Sequence, residues 1–335
     1  MKDYSSIIIS SRVKLLRNLA GFKFPSMIDE MDGKKVLNKV VENILNVNSS
    51  FKIYKVKTLP ELDINVMREK KLLTSNLMNA SGYGAVVLSK DETISIMVNE
   101  SDHIVEQCTI AGFNIFNAYD VISTLDDQIV SKLDIAFDNT MGYLTSNINN
   151  IGTGLKASIT MFLPGLTLNG LIKEVISKIQ VQGFEVNVFE DEVENNGYLY
   201  TFSNTYTIGK KETEIISRLT DLAMQIAERE VNERKELLAF NRVDNIKDRV
   251  LRAWGILTNC YKIGVEESLK LLGEIKIGIA LDIIKLKDNK IIKNLMVDIL
   301  PYSLTKISNS KISMAELDKY RATFIANVLK TNRIK

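Results

Sequence analysis

The sequence predicts an α+β fold: an antiparallel sheet flanked by helices, followed by an α-helical C-terminal domain. Three observations predict it. Short β-branched runs and helical patterns interleave up to about residue 210 without a regular βαβ rhythm, which favours antiparallel strands over a wound parallel sheet. Within that region two apolar runs, Ala85-Val86-Val87-Leu88 and Ile94-Ser95-Ile96-Met97-Val98, flank the tight link Lys90-Asp91-Glu92 as a β-hairpin does. From about Glu212 nearly every segment is helical in period, and none of the four prolines falls between Pro164 and Pro301, so long helices are permitted there.

Ser5 to Ile9 is β-branched and halted by Ser-Ser, so a short strand should deliver Ser10, Ser11 and Arg12 to its end. Gly33 to Asn46 carries apolar residues at helical spacing: Val36, Leu37, Val40, Val41, Ile44 and Leu45. The hairpin spans Gly84 to Ser89 and Thr93 to Asn99, and it runs into Asn99-Glu100-Ser101-Asp102-His103, which holds the only histidine. Residues 115–133 and 169–181 are helical in period, and 157–163 and 198–207 are strand-like. The acidic stretch Glu190-Asp191-Glu192-Val193-Glu194-Asn195-Asn196-Gly197 reads as a surface loop, either a solvated turn or a mobile lid. A polar run at 229–236 sets the boundary between a domain at 1–235 and a helical domain at 236–335.

Composition excludes several classes. A net charge of +2 gives no global push toward nucleic acid or an anionic membrane, so any anion site must be local. No stretch approaches the roughly 20 apolar residues of a membrane span, and the N-terminus lacks a signal peptide's apolar run. Cys108 and Cys260 are far apart and have no metal-ligand spacing, so neither a disulfide nor a metal site is expected. Buried reduced thiols in a cytoplasmic protein are expected instead.

Two patterns could meet an anion. Alternation along Ser10-Ser11-Arg12-Val13-Lys14 would turn Arg12 and Lys14 to one side, which suits a phosphate, although a solvated basic strand end explains them equally. The turn Gly152-Thr153-Gly154, with Lys156 after it, could offer backbone N–H groups and a cation. Neither pattern decides by itself.

Their order and flanks do. The strings Ser-Ser-Arg-Val-Lys-Leu-Leu-Arg-Asn (10–18), Ile-Ser-Ile-Met-Val-Asn-Glu-Ser-Asp-His (94–103), Phe-Asp-Asn-Thr-Met-Gly-Tyr-Leu-Thr (137–145), Asn-Ile-Gly-Thr-Gly-Leu-Lys-Ala-Ser (150–158) and Tyr-Thr-Ile-Gly-Lys (206–210) resemble those of the bacterial protein arginine kinases. These belong to the phosphagen (ATP:guanidino) kinase superfamily, and the likeness continues through 249–257 to Arg321-Ala322. The resemblance implies a catalytic domain related to glutamine synthetase and a helical C-terminal domain that often dimerises, hence a homodimer. It also implies ATP and Mg as cofactors, and transfer of the γ-phosphoryl group to arginine side chains of a protein substrate.

The resemblance also assigns positions. Nucleotide binding falls to Ser10, Arg12, Lys14 and Lys156, but of the family's clamp arginines only Arg12 is kept. Lys14 and Lys156 replace two others, and Val105 and a position near Val186 replace the rest. Lysine keeps the charge and loses the planar fork that grips two oxygens. The catalytic Glu position carries Ser101, the Cys position Asn147, and the second carboxylate position Asp191. If residues 99–103 are extended, Glu100 and Asp102 face away from Ser101 and cannot replace it.

Losing one charge-stabilising donor costs on the order of 10²–10³ in rate, and a positioned base contributes about 10²–10⁴. The leading expectation is therefore a pseudokinase-like regulator with reduced or lost catalysis. It would keep the scaffold and nucleotide binding, and act through a regulatory protein partner such as an active kinase, an adaptor or activator, or a protease unfoldase. The alternative is an active protein arginine kinase with a rebuilt site. His103 is expected to be a hydrogen-bonded structural residue. Near the C-terminus Leu317-Asp318-Lys319-Tyr320-Arg321-Ala322 resembles the family's Arg-Asp-x-x-Arg-Ala, which implies a regulatory phosphoarginine pocket at Asp318 and Arg321. An ordinary i,i+3 ion pair is the other reading.

Overall fold

The computed structural model describes residues 4–80, 82–188, 197–239, 242–288, 290–309 and 312–334. Among them the strands are β1 Ile8–Arg17, β2 Lys52–Lys55, β3 Ala85–Leu88, β4 Ile94–Val98, β5 Ile104–Ala111, β6 Phe137–Asp138, β7 Gly142–Tyr143, β8 Leu155–Phe162, β9 Phe184–Val188 and β10 Leu199–Asn204. The helices of the first half are α1 Glu30–Val47, α2 Glu61–Glu69, α3 Ser75–Asn79, α4 Ile115–Val130, α5 Pro164–Leu168 and α6 Ile172–Val181. The remainder are α7 Glu212–Leu237, α8 Val243–Asn259, α9 Val265–Ala280, α10 Lys290–Asp298, α11 Pro301–Ile307 and α12 Met314–Asn332. No described helix is long and apolar enough to cross a membrane.

Eight strands form one sheet in the order β2-β3-β4-β5-β1-β8-β10-β9, and β6 and β7 form a separate small hairpin. The pairings of β1 with β5 and β8, and of β3 with β2 and β4, are antiparallel, in line with the expected class. The chain divides into two compact units: Met1–Met161 with Ile176–Val186 and Thr201–Ile226, and Phe162–Val175 with Asn187–Tyr200 and Ala227–Lys335.

β1 departs from expectation. It does not end at Ser10-Ser11 but runs on to Arg17, so Ser10, Arg12 and Lys14 lie inside a strand. The serine stop signal is overruled because β1 is central, with β5 and β8 satisfying both of its edges. Ser11 also finds partners for its hydroxyl, donating to the Gly112 carbonyl (2.8 Å) and accepting the Asn114 N–H (3.0 Å).

The alternation of β1 divides the sheet's chemistry. Val13, Leu15 and Arg17 face one side, where α4 packs on β1 and β5. Leu16 faces the other side with its cross-strand neighbour Val105, which in turn pairs with Met97. These three join Leu72, Leu73, Leu77 and Val86 in a buried apolar cluster. Arg12 and Lys14 continue that same side beyond the cluster.

Candidate active site

Register brings the predicted cations together. Directly opposed residues of antiparallel neighbours share a face. Lys14 is opposite Lys156 on β8 and Gln107 on β5, and Arg12 is opposite Ser158 and Thr109. Arg12, Lys14 and Lys156 therefore lie on one face of the adjacent strands β1 and β8. Ser10, opposite Thr160, lies on it too, next to an irregularity in the β1–β8 register. Arg12 Nε donates to Thr109 Oγ1 at 3.2 Å.

Lys156 already has a counter-charge. Its Nζ lies 2.8 Å from Glu185 Oε1 on β9 and donates to the Asn204 carbonyl at 2.7 Å. Ser203 Oγ donates to the same carboxylate oxygen at 2.9 Å. A phosphate at Lys156 would have to share or displace Glu185.

The glycine turn is formed, but both of its glycine N–H groups are spent, contrary to the anion cradle that its sequence suggests. Gly152 N–H donates to Tyr143 O, Gly154 N–H to Asn150 O, and Leu155 N–H to Thr153 Oγ1. Glycine is required here because Gly154 has φ +65°, and a Cβ on it would fall 2.6 Å from both Arg17 Nη1 and Leu16 O. The turn serves close packing against the end of β1.

Residues 99–103 are not extended. Asn99 adopts φ +58°, its N–H donates to His103 O (3.0 Å) and the Glu100 N–H to Asp102 O (3.1 Å), so the segment is a tight turn joining β4 to β5. Asn99 holds this left-handed conformation with its Nδ2 donating to Gly33 O (3.0 Å) and Tyr83 O (2.9 Å). The alternate-face argument against Glu100 therefore fails. Glu100 is half-buried beside Ser101; its carboxylate accepts from the Ser101 N–H and from Thr74 Oγ1.

Asp102 is fully committed. Its Oδ1 accepts from Asn18 Nδ2 (2.6 Å) and from the Ser146 N–H (2.7 Å), and Ser101 Oγ donates to Oδ2 (3.1 Å). Burial lifts its pKa above the ordinary value against the opposing effect of these bonds. His103 is structural, as expected. Its Nδ1 accepts the Leu19 N–H (3.1 Å), which leaves Nε2 to donate to Lys23 O (3.0 Å). Burial pushes the imidazole pKa down to about 4, opposed by the Lys23 hydrogen bond.

Ser101 and Asn147 lie on loops tied together by Ser146, whose Oγ donates to Ser101 O (2.6 Å). Asn147 is exposed, and its Oδ1 caps the following turn by accepting the Asn149 N–H (3.0 Å). Val105 is 2% exposed within the apolar cluster, where an arginine would be buried without a partner. Val186 lies on β9, one residue after Glu185. Asp191 and the acidic stretch 190–196 fall outside the described residues.

In the helical unit Arg321 is 1% exposed, with Nε donating to Ile299 O (2.9 Å) and Nη1 to Ile263 O (2.9 Å) and to Asp318. Asp318 and Arg321 do form the i,i+3 pair, and Leu317 beside them is buried. Among the described residues no group of three or more His, Cys, Asp or Glu could hold a metal ion.

Sequence reasoning missed Glu185, which carries no local signal because its role depends on β9 lying beyond β10 on the same sheet as β8. It also missed the placement of Glu100, half-buried beside Ser101, which depends on the conformation of Asn99.

Comparison with known proteins gives a concordant result. Residues 33–233 match the family profile described as the ATP:guanido phosphotransferase C-terminal catalytic domain, and residues 243–335 that of the protein-arginine kinase McsB C-terminal domain. A protein-arginine kinase of Clostridium tetani is 35% identical over 331 residues, covering 98% of this chain and 97% of the relative. One of Halothermothrix orenii is 37% identical over 322 residues, covering 95% and 92%. Among solved structures, lombricine kinase superposes with a TM-score of 0.60 at 17% identity, over 69% of this chain and 67% of that one. The duplicated taurocyamine kinase of Schistosoma mansoni gives 0.64 at 20% identity, over 80% of this chain and 40% of that longer one. At such identities the structures speak for the fold alone, an antiparallel sheet flanked by helices.

Proposed function

This chain belongs to the protein-arginine kinase branch of the ATP:guanido phosphotransferases, and from that premise we propose that it transfers the γ-phosphoryl group of ATP to arginine side chains of proteins. The register that puts Arg12, Lys14 and Lys156 on one face of β1 and β8 carries this reading. Such transfer asks for positioning and charge more than for covalent chemistry. Arg12 and Lys14 would hold phosphate oxygens, with Ser10 beside them. Magnesium would arrive on the nucleotide's phosphates and neutralise charge that develops during transfer.

In the reaction a bond forms between the γ-phosphorus and a guanidino nitrogen, the bond from that phosphorus to the bridging oxygen breaks, and the guanidinium gives up a proton. Glu100 is our candidate to orient the guanidinium and accept that proton, because it is half-buried, whereas Asp102 is 0% exposed and accepts three hydrogen bonds. Ser101 and Asn147 would line the acceptor side, and Asp191 would supply a second carboxylate. We place the activity in the cytoplasm, in a homodimer whose boundary between catalytic and helical domains lies near residue 235. Asp318 and Arg321 are retained as a regulatory candidate.

With MgATP and an unfolded protein substrate, the wild type should form acid-labile phosphoarginine. Glu100→Gln should slow this by about 10²–10⁴ while ATP affinity changes little. An unchanged rate removes Glu100 from the mechanism.

One observation favours a second reading, strongly reduced catalysis with a regulatory role through a protein partner. The Lys156–Glu185 pair occupies a cation that the phosphates would need. That reading predicts thermal stabilisation by ATP without phosphoarginine, since ligand at about 100 times Kd adds roughly 2.7 kcal/mol.

A further inference from the structure

The side of β1 away from the cationic face carries an ion pair that the chemistry above does not use. Arg17 is 1% exposed, and its Nε lies 3.0 Å from Asp126 Oδ1 and its Nη2 2.6 Å from Asp126 Oδ2, a forked contact to α4. Nη1 points the other way and donates to two carbonyls, Leu16 O and Thr153 O, each at 2.9 Å. The Tyr143 ring covers the guanidinium, with its centroid 3.6 Å from Cζ. One rigid group thus joins α4, the end of β1, the middle of the Gly152–Gly154 turn and the β7 hairpin.

A second acid faces this group. Glu106 on β5 is fully buried, and neither carboxylate oxygen has a hydrogen-bond partner among the described residues. Burial raises its pKa well above the ordinary value, which favours its neutral form. Asp126 is then the counter-charge of Arg17. Burial alone would lower the guanidinium's proton affinity, yet the charge and hydrogen bonds of Asp126 outweigh it and the net direction is upward.

The tie to Thr153 reaches the cationic face through the chain itself. Lys156 is three residues on from Thr153, opposite Lys14 across the β1–β8 ladder. The same junction is closed by the Leu16 N–H donating to Gly154 O at 3.0 Å. How β1 and β8 meet at this end sets where Lys14 and Lys156 stand relative to each other.

We propose that Arg17 is a positioning residue for the nucleotide phosphates: anchored to Asp126 behind the sheet, it holds the Gly152–Gly154 turn against β1 and so fixes the spacing of Lys14 and Lys156 in front. This rests on the reading of that face as the phosphate site. Lysine at 17 keeps the charge but lacks the fork needed to serve Asp126 and two carbonyls at once.

The test compares wild type, Arg17→Lys and Tyr143→Leu, well below their melting temperatures, by ATP titration and by amide hydrogen exchange across 152–156. Arg17→Lys should weaken ATP binding about tenfold, the size expected for losing hydrogen bonds from a charged donor. Exchange should quicken in the turn while the remaining strands stay protected. Tyr143→Leu removes only the half-exposed cover and keeps the inference testable if Arg17→Lys does not fold. It should weaken ATP binding about threefold, in line with an ordinary cation–π contact.

Unchanged affinity and unchanged turn exchange in a folded variant overturn the proposal, because a purely structural role would lower the melting temperature without moving either. Absence of ATP binding by the wild type itself would instead remove the phosphate-face reading, and this proposal with it.

Discussion

At His103 both ring nitrogens are committed, so its titration reports on the fold rather than on catalysis. In the unfolded chain the imidazole gains its proton near pH 6.5, whereas in the fold burial delays this to about 4. The unfolded state therefore binds more protons between those values, and stability falls as pH drops from about 6.5 to about 4, levelling below. Because His103 is the only histidine, its ring resonances are unambiguous in a proton NMR titration. A midpoint near 4 is expected, and one near 6.5 would show that the Leu19 and Lys23 contacts do not persist in solution. Val105 makes a complementary point: an apolar side chain at a position where the resemblance implies an arginine is accounted for by the core around it, with Leu16 and Met97 as cross-strand neighbours.

Among the elements, β8 and β9 are linked by an ion pair in which Glu185 on β9 neutralises Lys156 on β8. Glu185→Gln should free the ammonium and tighten ATP binding about two- to fivefold, matching the up to ~1 kcal/mol of a partly exposed pair. Weaker binding on titration would mean that Glu185 orients Lys156 rather than competing for it. Elements with strong local patterns were legible in the sequence: α1 from its apolar spacing, and β3 and β4 from two runs around a three-residue link. Others depended on non-local partners. β1 outruns its Ser-Ser stop because both edges are paired. β5 escaped notice because Glu106 and Gln107 interrupt its apolar run, though Gln107 Nε2 finds Lys71 O at 2.9 Å. The Asn99–His103 turn could not be read because the Asn99 side chain stabilises it through contacts with Gly33 and Tyr83, both distant in sequence.

For the molecule as a whole, ordered motifs revealed the family where periodicity could not, and profile matches over 33–233 and 243–335 agree with that resemblance. Residue types alone favoured reduced catalysis, because they cannot show that residues 99–103 form a turn with Glu100 beside Ser101. In the helical unit Arg321 takes the carbonyls of Ile263 and Ile299 and so binds α12 to two inter-helix junctions, an anchoring task that a motif string does not disclose. The most direct measurement is phosphorus NMR of purified protein incubated with MgATP and an unfolded arginine-containing protein. A phosphorus–nitrogen resonance that grows as ATP is consumed, and disappears on brief acidification, is the expected result. ATP that remains intact, or is converted only to ADP and inorganic phosphate, would contradict arginine phosphorylation by this chain.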